Sequence, residues 1–178
     1  MEQELIRGCA KNDRTSQKKL FDTYAGKFMT IAKRYMKEDM LAEDVLMEGF
    51  YKIYSNIKSF KGDGSFEGWM RRIIVNTAIN KIRKDKREML DYQEELTDKK
   101  GVEMMYVEAM SAKDMMNMID KMPLGYRTVF NMYAIDGFSH SEIATELGID
   151  EGTSRSQLSK ARKFLQVRLK EDESNIRI

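Results

Sequence analysis

Apolar residues recur along this chain at steps of three and four, the spacing that gathers them on one side of an α-helix. Leu20, Phe21, Tyr24, Phe28, Ile31, Ala32 and Tyr35 mark one such face and predict a helix over 16–36. Leu41, Val45, Leu46, Phe50, Ile53, Tyr54 and Ile57 mark a second over 41–58, with Glu43, Asp44 and Glu48 on its polar side. The loop Phe60-Lys61-Gly62-Asp63-Gly64-Ser65 follows, punctuated by glycine. Ser65 is placed to cap a third helix that runs from about Phe66 through Trp69, Ile73, Ile74, Ala78 and Ile82 into a basic stretch at 81–87. Periodicity then fades over the polar residues 88–108, which read as a linker. It returns near Ser111, and Pro123 suits the first turn of a helix whose apolar face holds Tyr126, Val129, Phe130 and Tyr133. No pair of strands with a hairpin turn stands out. The predicted fold is all-α: two small helical domains, 1–87 and 111–178, joined by a flexible linker at 88–110.

The second domain contains a helix-turn-helix pattern. Ser139 followed by Glu142 has the spacing of a capping box. Ile143, Ala144 and Leu147 form the inner side of a short helix, Gly148 suits its left-handed end, and Asp150 suits the cap of a longer helix over about 150–168. Leu158, Ala161 and Leu165 line the inside of that helix. Arg155, Ser156, Ser159, Lys160 and Lys163 share its outside by the helical period. Long cations beside short hydroxyls are what major-groove reading requires, because the cations reach guanine edges and phosphates while the hydroxyls allow close approach. The alternative is a solvated basic face on an ordinary helical hairpin. His140 reads as a surface residue at a helix start.

Composition narrows the function classes. The 178 residues carry a net charge of only +2, so the distribution of charge matters more than its sum. Bases cluster over 71–87 and 151–170, whereas 38–48 holds five acids and no base, which points to two kinds of partner. A single proline favours long helices, and the 15 methionines read as core filler. With one cysteine, Cys9, and one histidine, His140, no internal disulfide, zinc set or nucleophile–base pair is evident. Gly62-Asp63-Gly64 lacks the Lys-Ser/Thr of a phosphate loop. No carboxylate pair, cofactor motif or metal set is evident, and an enzyme is the least expected class. No signal peptide or 18-residue apolar run stands out, so the expectation is a cytoplasmic protein without membrane insertion.

Three ordered motifs carry a family resemblance. Phe60 to Asn80, with a phenylalanine, a glycine-rich loop, Phe66 before Trp69, and an isoleucine-rich stretch ending in asparagine, closely resembles the region 2 signature of extracytoplasmic-function (ECF) sigma factors of RNA polymerase. Ala42 to Tyr54 resembles the family's core-polymerase-binding helix, and Gly152 to Arg162 its recognition helix. The resemblance covers about 5–87 and 111–170. Two positions depart from it: Met47 stands where many relatives have Gln, and Ser154 where relatives usually have Val.

The resemblance implies partners and roles. Glu43, Asp44, Met47, Glu48, Phe50 and Tyr51 would meet core RNA polymerase, with the acids complementary to basic partner side chains. Phe50 is open between partner anchor and core packing. Phe60, Lys61, Gly62 and Asp63 would cup a flipped base of the single-stranded −10 element, and Asn76 would meet a base edge unless it is a buried structural residue. Arg71, Arg72, Arg83 and Lys84, with Lys81 and Arg87, would meet phosphates or remain solvated, while Trp69 reads as core. Arg155, Ser156, Ser159, Lys160 and Lys163 would read the duplex −35 element. An anti-sigma factor is a further family expectation. The rival reading is a conventional helix-turn-helix regulator that binds duplex operators without polymerase.

Overall fold

Several of the helices start where a polar side chain satisfies backbone N–H groups that have no partner inside the helix. A computed structural model of the chain describes residues 2–88 and 112–176, and in it helix α1 (Glu2–Ala10) precedes α2 (Arg14–Tyr35). Asp13 caps α2 by accepting from the Ser16 N–H at 2.8 Å. α3 (Asp39–Asn56) runs into a tight turn at Ile57–Ser59, and α4 (Phe66–Glu88) starts where Ser65 Oγ accepts from the Gly68 N–H at 3.0 Å. After the undescribed stretch come α5 (Ala112–Asp120), α6 (Leu124–Phe130), a widened π-helical turn at Asn131–Ile135, α7 (His140–Leu147) and α8 (Glu151–Ile176). No strand occurs among the described residues. Nearly all of the expected linker, 89–110, lies outside them.

The chain divides into two compact units, with the division between Leu90 and Asp91. In the first, α2, α3 and α4 pack on one another, and α1 packs on α2. Its core is large and apolar: Leu20, Phe28, Val45, Phe50, Ile53, Ile57, Phe66, Met70, Ile74 and Ile79 are buried. Each such side chain removed from water stabilises the fold by roughly 1.5–3 kcal/mol. Tyr54 edges this core and donates its hydroxyl to the Gln17 carbonyl at 2.9 Å; burial pushes its pKa up to about 12.

In the second unit α8 is the central element, and α5, α6 and α7 pack against it. Met118, Ile119, Met122, Ala161 and Leu165 form one buried cluster, edged by Met115, Met116, Tyr126, Phe130 and Phe164. Arg127 is buried beside it, and its Nη1 donates to the Asp120 carbonyl at the end of α5 at 3.1 Å. Burial lowers the guanidinium's pKa, and nearby Asp120 opposes that shift.

The structure adds one helix and corrects two expectations. α1 had no predicted counterpart, although Leu5, Ile6 and Cys9 follow the helical step and Cys9 is fully buried. Tyr133 was placed on an apolar helix face. The π-helical turn adds residues to the helical period there and rotates Tyr133 outward to 37% exposure. The last helix, α8, runs to Ile176, eight residues past the predicted end at 168.

Candidate functional site

The exposed side of α3 is apolar at its centre. Met40, Met47 and Tyr51, spaced by seven and four residues, lie along one line and are 75%, 60% and 71% exposed. Glu43, Asp44 and Glu48, all exposed, flank them. Asp44 lies 3.6 Å from Lys81 Nζ of α4, and Glu48 lies 2.6 Å from Lys52 Nζ one turn on. A line of large apolar side chains bordered by carboxylates suits a protein partner better than nucleic acid, because the acids repel phosphate and the apolar groups gain by leaving water. Phe50 does not join this face. It is buried against α2, with its ring 4.7 Å from Phe21 and 5.9 Å from both Phe28 and Tyr54. Core packing is therefore its role, and the reading of Phe50 as a partner anchor is set aside. Met40 was missed by sequence reasoning, although its seven-residue spacing from Met47 was visible.

The loop between α3 and α4 stands on an aromatic cluster. Half-buried Phe60 lies 5.1 Å from Phe66 and 5.7 Å from Trp69, and Phe66 and Trp69 stack at 5.7 Å with 14° between planes. Trp69, read from the sequence as core, is half-buried at the edge of the core. Above the cluster, Lys61, Gly62, Asp63 and Gly64 are exposed. Gly62 and Gly64 have φ of 84° and 106°, a backbone path that side-chain-bearing residues rarely follow.

From Trp69, the residues Arg72, Asn76, Asn80 and Arg83 follow along α4 at three- and four-residue steps, and so share one side of the helix. Arg72 and Asn80 are exposed, while Asn76 and Arg83 are half-buried; Lys84 is exposed one turn beyond Asn80. The other expected cations of α4 are placed elsewhere. Arg71 lies on another side, 3.7 Å from Glu67, which also pairs with Lys27 of α2 at 2.9 Å. Lys81 faces Asp44. The Arg87 side chain lies outside the described residues. Asn80 was not among the expected site residues, although the four-residue step from Asn76 points to it.

In the second unit α7 and α8 form a helix-turn-helix. The Ser139 N–H donates to Glu142 Oε2 at 2.8 Å and the Glu142 N–H donates to Ser139 Oγ at 3.2 Å, the reciprocal bonds of a capping box. Gly148 closes α7 at φ 66°, ψ 39°, the left-handed conformation in which glycine carries no steric penalty. The Thr153 N–H and hydroxyl both donate to the Asp150 carboxylate, at 2.7 and 2.8 Å, so Asp150 caps α8 and its pKa is lowered by those bonds. On α8, Leu158, Ala161 and Leu165 are buried, while Arg155, Ser156, Ser159 and Arg162 are exposed, with Lys160 and Lys163 half-exposed at the margin. Arg155 pairs with Glu151 at 2.7 Å. Arg162, missed in the expected set, lies seven residues from Arg155 and hence on its side of the helix. Ser154, the departure from the family pattern, is fully buried, and its Oγ lies 2.9 Å from His140 Nδ1.

Among the described residues, no group of His, Cys, Asp and Glu side chains is placed to hold a metal, and no helix is long and apolar enough to cross a membrane. What the geometry provides is one face suited to protein, an aromatic-floored loop beside an Arg/Asn side, and a separate basic helix.

The sequence matches the families described as Sigma-70 region 2 over residues 20–88 and Sigma-70, region 4 over 112–165. It is 26% identical over 148 residues to the ECF RNA polymerase sigma factor SigE of Mycolicibacterium smegmatis, covering 80% of this chain and 57% of that protein. It is 29% identical over 181 residues to the ECF RNA polymerase sigma factor SigW of Bacillus subtilis, covering 93% of this chain and 95% of that one. The chain thus spans little more than half of SigE and nearly all of SigW. Among solved structures, the sigma factor RpoE of Bartonella quintana, in complex with the anti-sigma factor NepR, has a TM-score of 0.54 at 22% identity, covering 86% of this chain and 96% of that one. That last likeness is one of fold. With both regions matched in order and near full-length similarity to SigW, the chain belongs to the sigma-70 family, as a factor of the extracytoplasmic-function type.

Proposed function

We propose that this chain binds core RNA polymerase and directs promoter-specific transcription initiation, reading the −10 element with its first unit and the −35 element with its second. The observation that carries this reading is the joint presence of a protein-type face on α3 and a basic recognition helix on α8 in one chain. A conventional regulator needs only the second.

In this reading Met40, Met47 and Tyr51 supply the apolar contact with polymerase, and Glu43, Asp44 and Glu48 orient the encounter. Phe60, Lys61, Gly62 and Asp63 surround a base extruded from the melted −10 strand. Bases gain roughly 1–3 kcal/mol each from stacking on aromatic rings, and the Phe60, Phe66 and Trp69 cluster gives that loop a rigid floor. Asn76 offers an amide to a base edge. Arg72, Arg83 and Lys84 meet phosphates, whereas Arg71 must first leave Glu67 to do so. Arg155, Ser156 and Ser159, joined by Arg162, read the −35 duplex, with Lys160 and Lys163 meeting its phosphates. The protein acts by binding and has no catalytic step of its own. It works in the cytoplasm, where polymerase and promoter are, and an anti-sigma factor is a further proposed partner.

The test is co-elution of the purified chain with core polymerase in competition with a housekeeping sigma factor. Competitive binding that weakens on charge reversal at Asp44 and Glu48 is the expected result. Tight binding of a duplex by the chain alone, with no affinity for core polymerase, would instead identify a conventional regulator.

A further inference from the structure

Three elements of the second unit meet at the ring of His140, a residue outside the set assigned to DNA. Ser154, in the first turn of α8, has no solvent-accessible surface. A buried hydroxyl needs a partner, and His140 Nδ1 supplies one from the first residue of α7, 2.9 Å away. The other side of the ring rests on Tyr133 of the π-helical turn, with centroids 4.5 Å apart and 21° between planes. The imidazole is thus held between the element before α7 and the helix after it. Glu151, Arg155 and Arg162 of α8 act on it electrostatically. Burial and the Arg155 charge hold its pKa below the ordinary histidine value, with Glu151 opposing, which favours the neutral ring. Its place in the first turn of α7, the positive end of that helix, works in the same direction.

We propose that His140 is a positioning residue for −35 reading: through Ser154 it fixes the first turn of α8, and with it the aim of the adjacent Arg155. The inference rests on the sigma-factor reading above. With the proton of the neutral ring on Nε2, Nδ1 accepts from the Ser154 hydroxyl. Protonation reverses the direction of that bond and sets a second cation beside Arg155, which displaces the arginine. His140 is the sole histidine of the 178 residues, so no other imidazole of this chain titrates in the histidine range of pH, and a His140→Ala control separates its effect from that of the polymerase.

The experiment uses holoenzyme reconstituted with the full chain. A preferred −35 sequence is selected from a randomised duplex library, and the affinity ratio between that sequence and its single-base variants is measured. His140→Ala is expected to lower the ratio about fivefold, the effect of one net hydrogen bond. Ser154→Ala should do the same, the double variant should do no worse than either single one, and His140→Asn, whose amide oxygen can replace Nδ1 as acceptor, should restore most of the ratio. The wild-type ratio should hold near neutrality and fall as pH drops below about 6.5, and that of His140→Ala should stay flat. The wild-type series requires no variant to fold. An unchanged ratio in His140→Ala, or a loss of affinity equal for all sequences, would overturn the proposal. Failure of the wild-type holoenzyme to select any −35 sequence would overturn the sigma-factor reading itself, and this inference with it.

Discussion

The two units are built on different interiors. The first encloses large aromatic and aliphatic side chains, with Thr77 buried among them; the second buries Arg127, Thr128, Asn131 and Ser154 beside its methionines. An apolar interior is held by shape and volume. One that also encloses polar side chains depends in addition on particular hydrogen bonds, because each buried donor or acceptor left without a partner costs about 1–3 kcal/mol. The surfaces differ in the opposite sense. The first unit exposes Met40, Met47 and Tyr51 on α3, whereas the outer side of α8 around Arg155, Ser156, Ser159 and Arg162 is polar. A rigid apolar body can carry a hydrophobic docking face without losing its form. A small unit that reads DNA needs its recognition helix aimed, and specific bonds do that.

The largest expected effect separates the two interiors. Phe50→Ala removes a ring packed against Phe21, Phe28 and Tyr54, and should destabilise the first unit by about 3–5 kcal/mol. Trp69, the chain's single tryptophan, lies in that unit, so its fluorescence follows it selectively during denaturant unfolding. The second unit, followed by amide exchange in α7 and α8, should be unchanged. Equal loss in both would show that the units do not fold independently.

The next effect separates the two surfaces. Met47→Glu combined with Tyr51→Ala should leave the Trp69 unfolding curve in place, because both side chains point to solvent. Affinity for core polymerase should fall about thirtyfold, the loss of roughly 2 kcal/mol that one buried interface anchor represents. Binding to −35 duplex should not change. A large loss of fold stability instead would mean that these residues support the first unit rather than its partner.

The sequence showed best what depends on neighbouring residues. Ser139 with Glu142, Gly148 and Asp150 all act within one turn, and their spacing alone announced the helix-turn-helix. Long helical faces such as Leu20 to Tyr35 were equally plain. What was missed depends on contacts between distant positions. Phe50 and Tyr51 are adjacent and both aromatic; the helical step put Phe50 on the apolar face but left it open as a partner anchor, and the packing of α2 against α3 decides that the first is core and the second surface. Arg71 and Arg72 likewise part company once α2 supplies the Lys27–Glu67 pair beside Arg71. The bond between His140 and Ser154 spans 14 residues, so neither position announced the other. The 9-residue α1 was overlooked because its apolar positions are few and a charged residue, Arg7, and a glycine, Gly8, interrupt them.

A smaller effect tests how far the second unit depends on single bonds. Ser139→Ala leaves the Glu142 N–H without its side-chain acceptor and should cost about 1 kcal/mol, typical of a lost N-cap. Amide exchange in α7 should quicken accordingly, with Trp69 fluorescence unaffected. Exchange that quickened only at the first residues of α7 would show that the cap stiffens the helix end without supporting the unit.

The smallest effect concerns a device the two units share. Asp13 caps α2 through Ser16, and Asp150 caps α8 through Thr153; hydrogen bonds hold both carboxylates below the ordinary aspartate pKa of about 3.9. A carboxylate with a depressed native pKa contributes stability that is fully present above its unfolded pKa. That contribution is lost as pH falls through the lower native value, because the protonated side chain accepts less well. Asp150→Asn keeps an acceptor for the Thr153 N–H but does not titrate. It should match the wild type near neutrality and lose less stability than the wild type below pH of about 4. Asp13→Asn should act in the same way on the first unit. Acid titration of amide exchange at the starts of α2 and α8 in the two variants provides the comparison. Both sites are exposed, so similar small effects are expected. A markedly larger effect at Asp150 would mean that the second unit depends on this one bond more than the first depends on its own, as expected of a unit that buries more polar side chains.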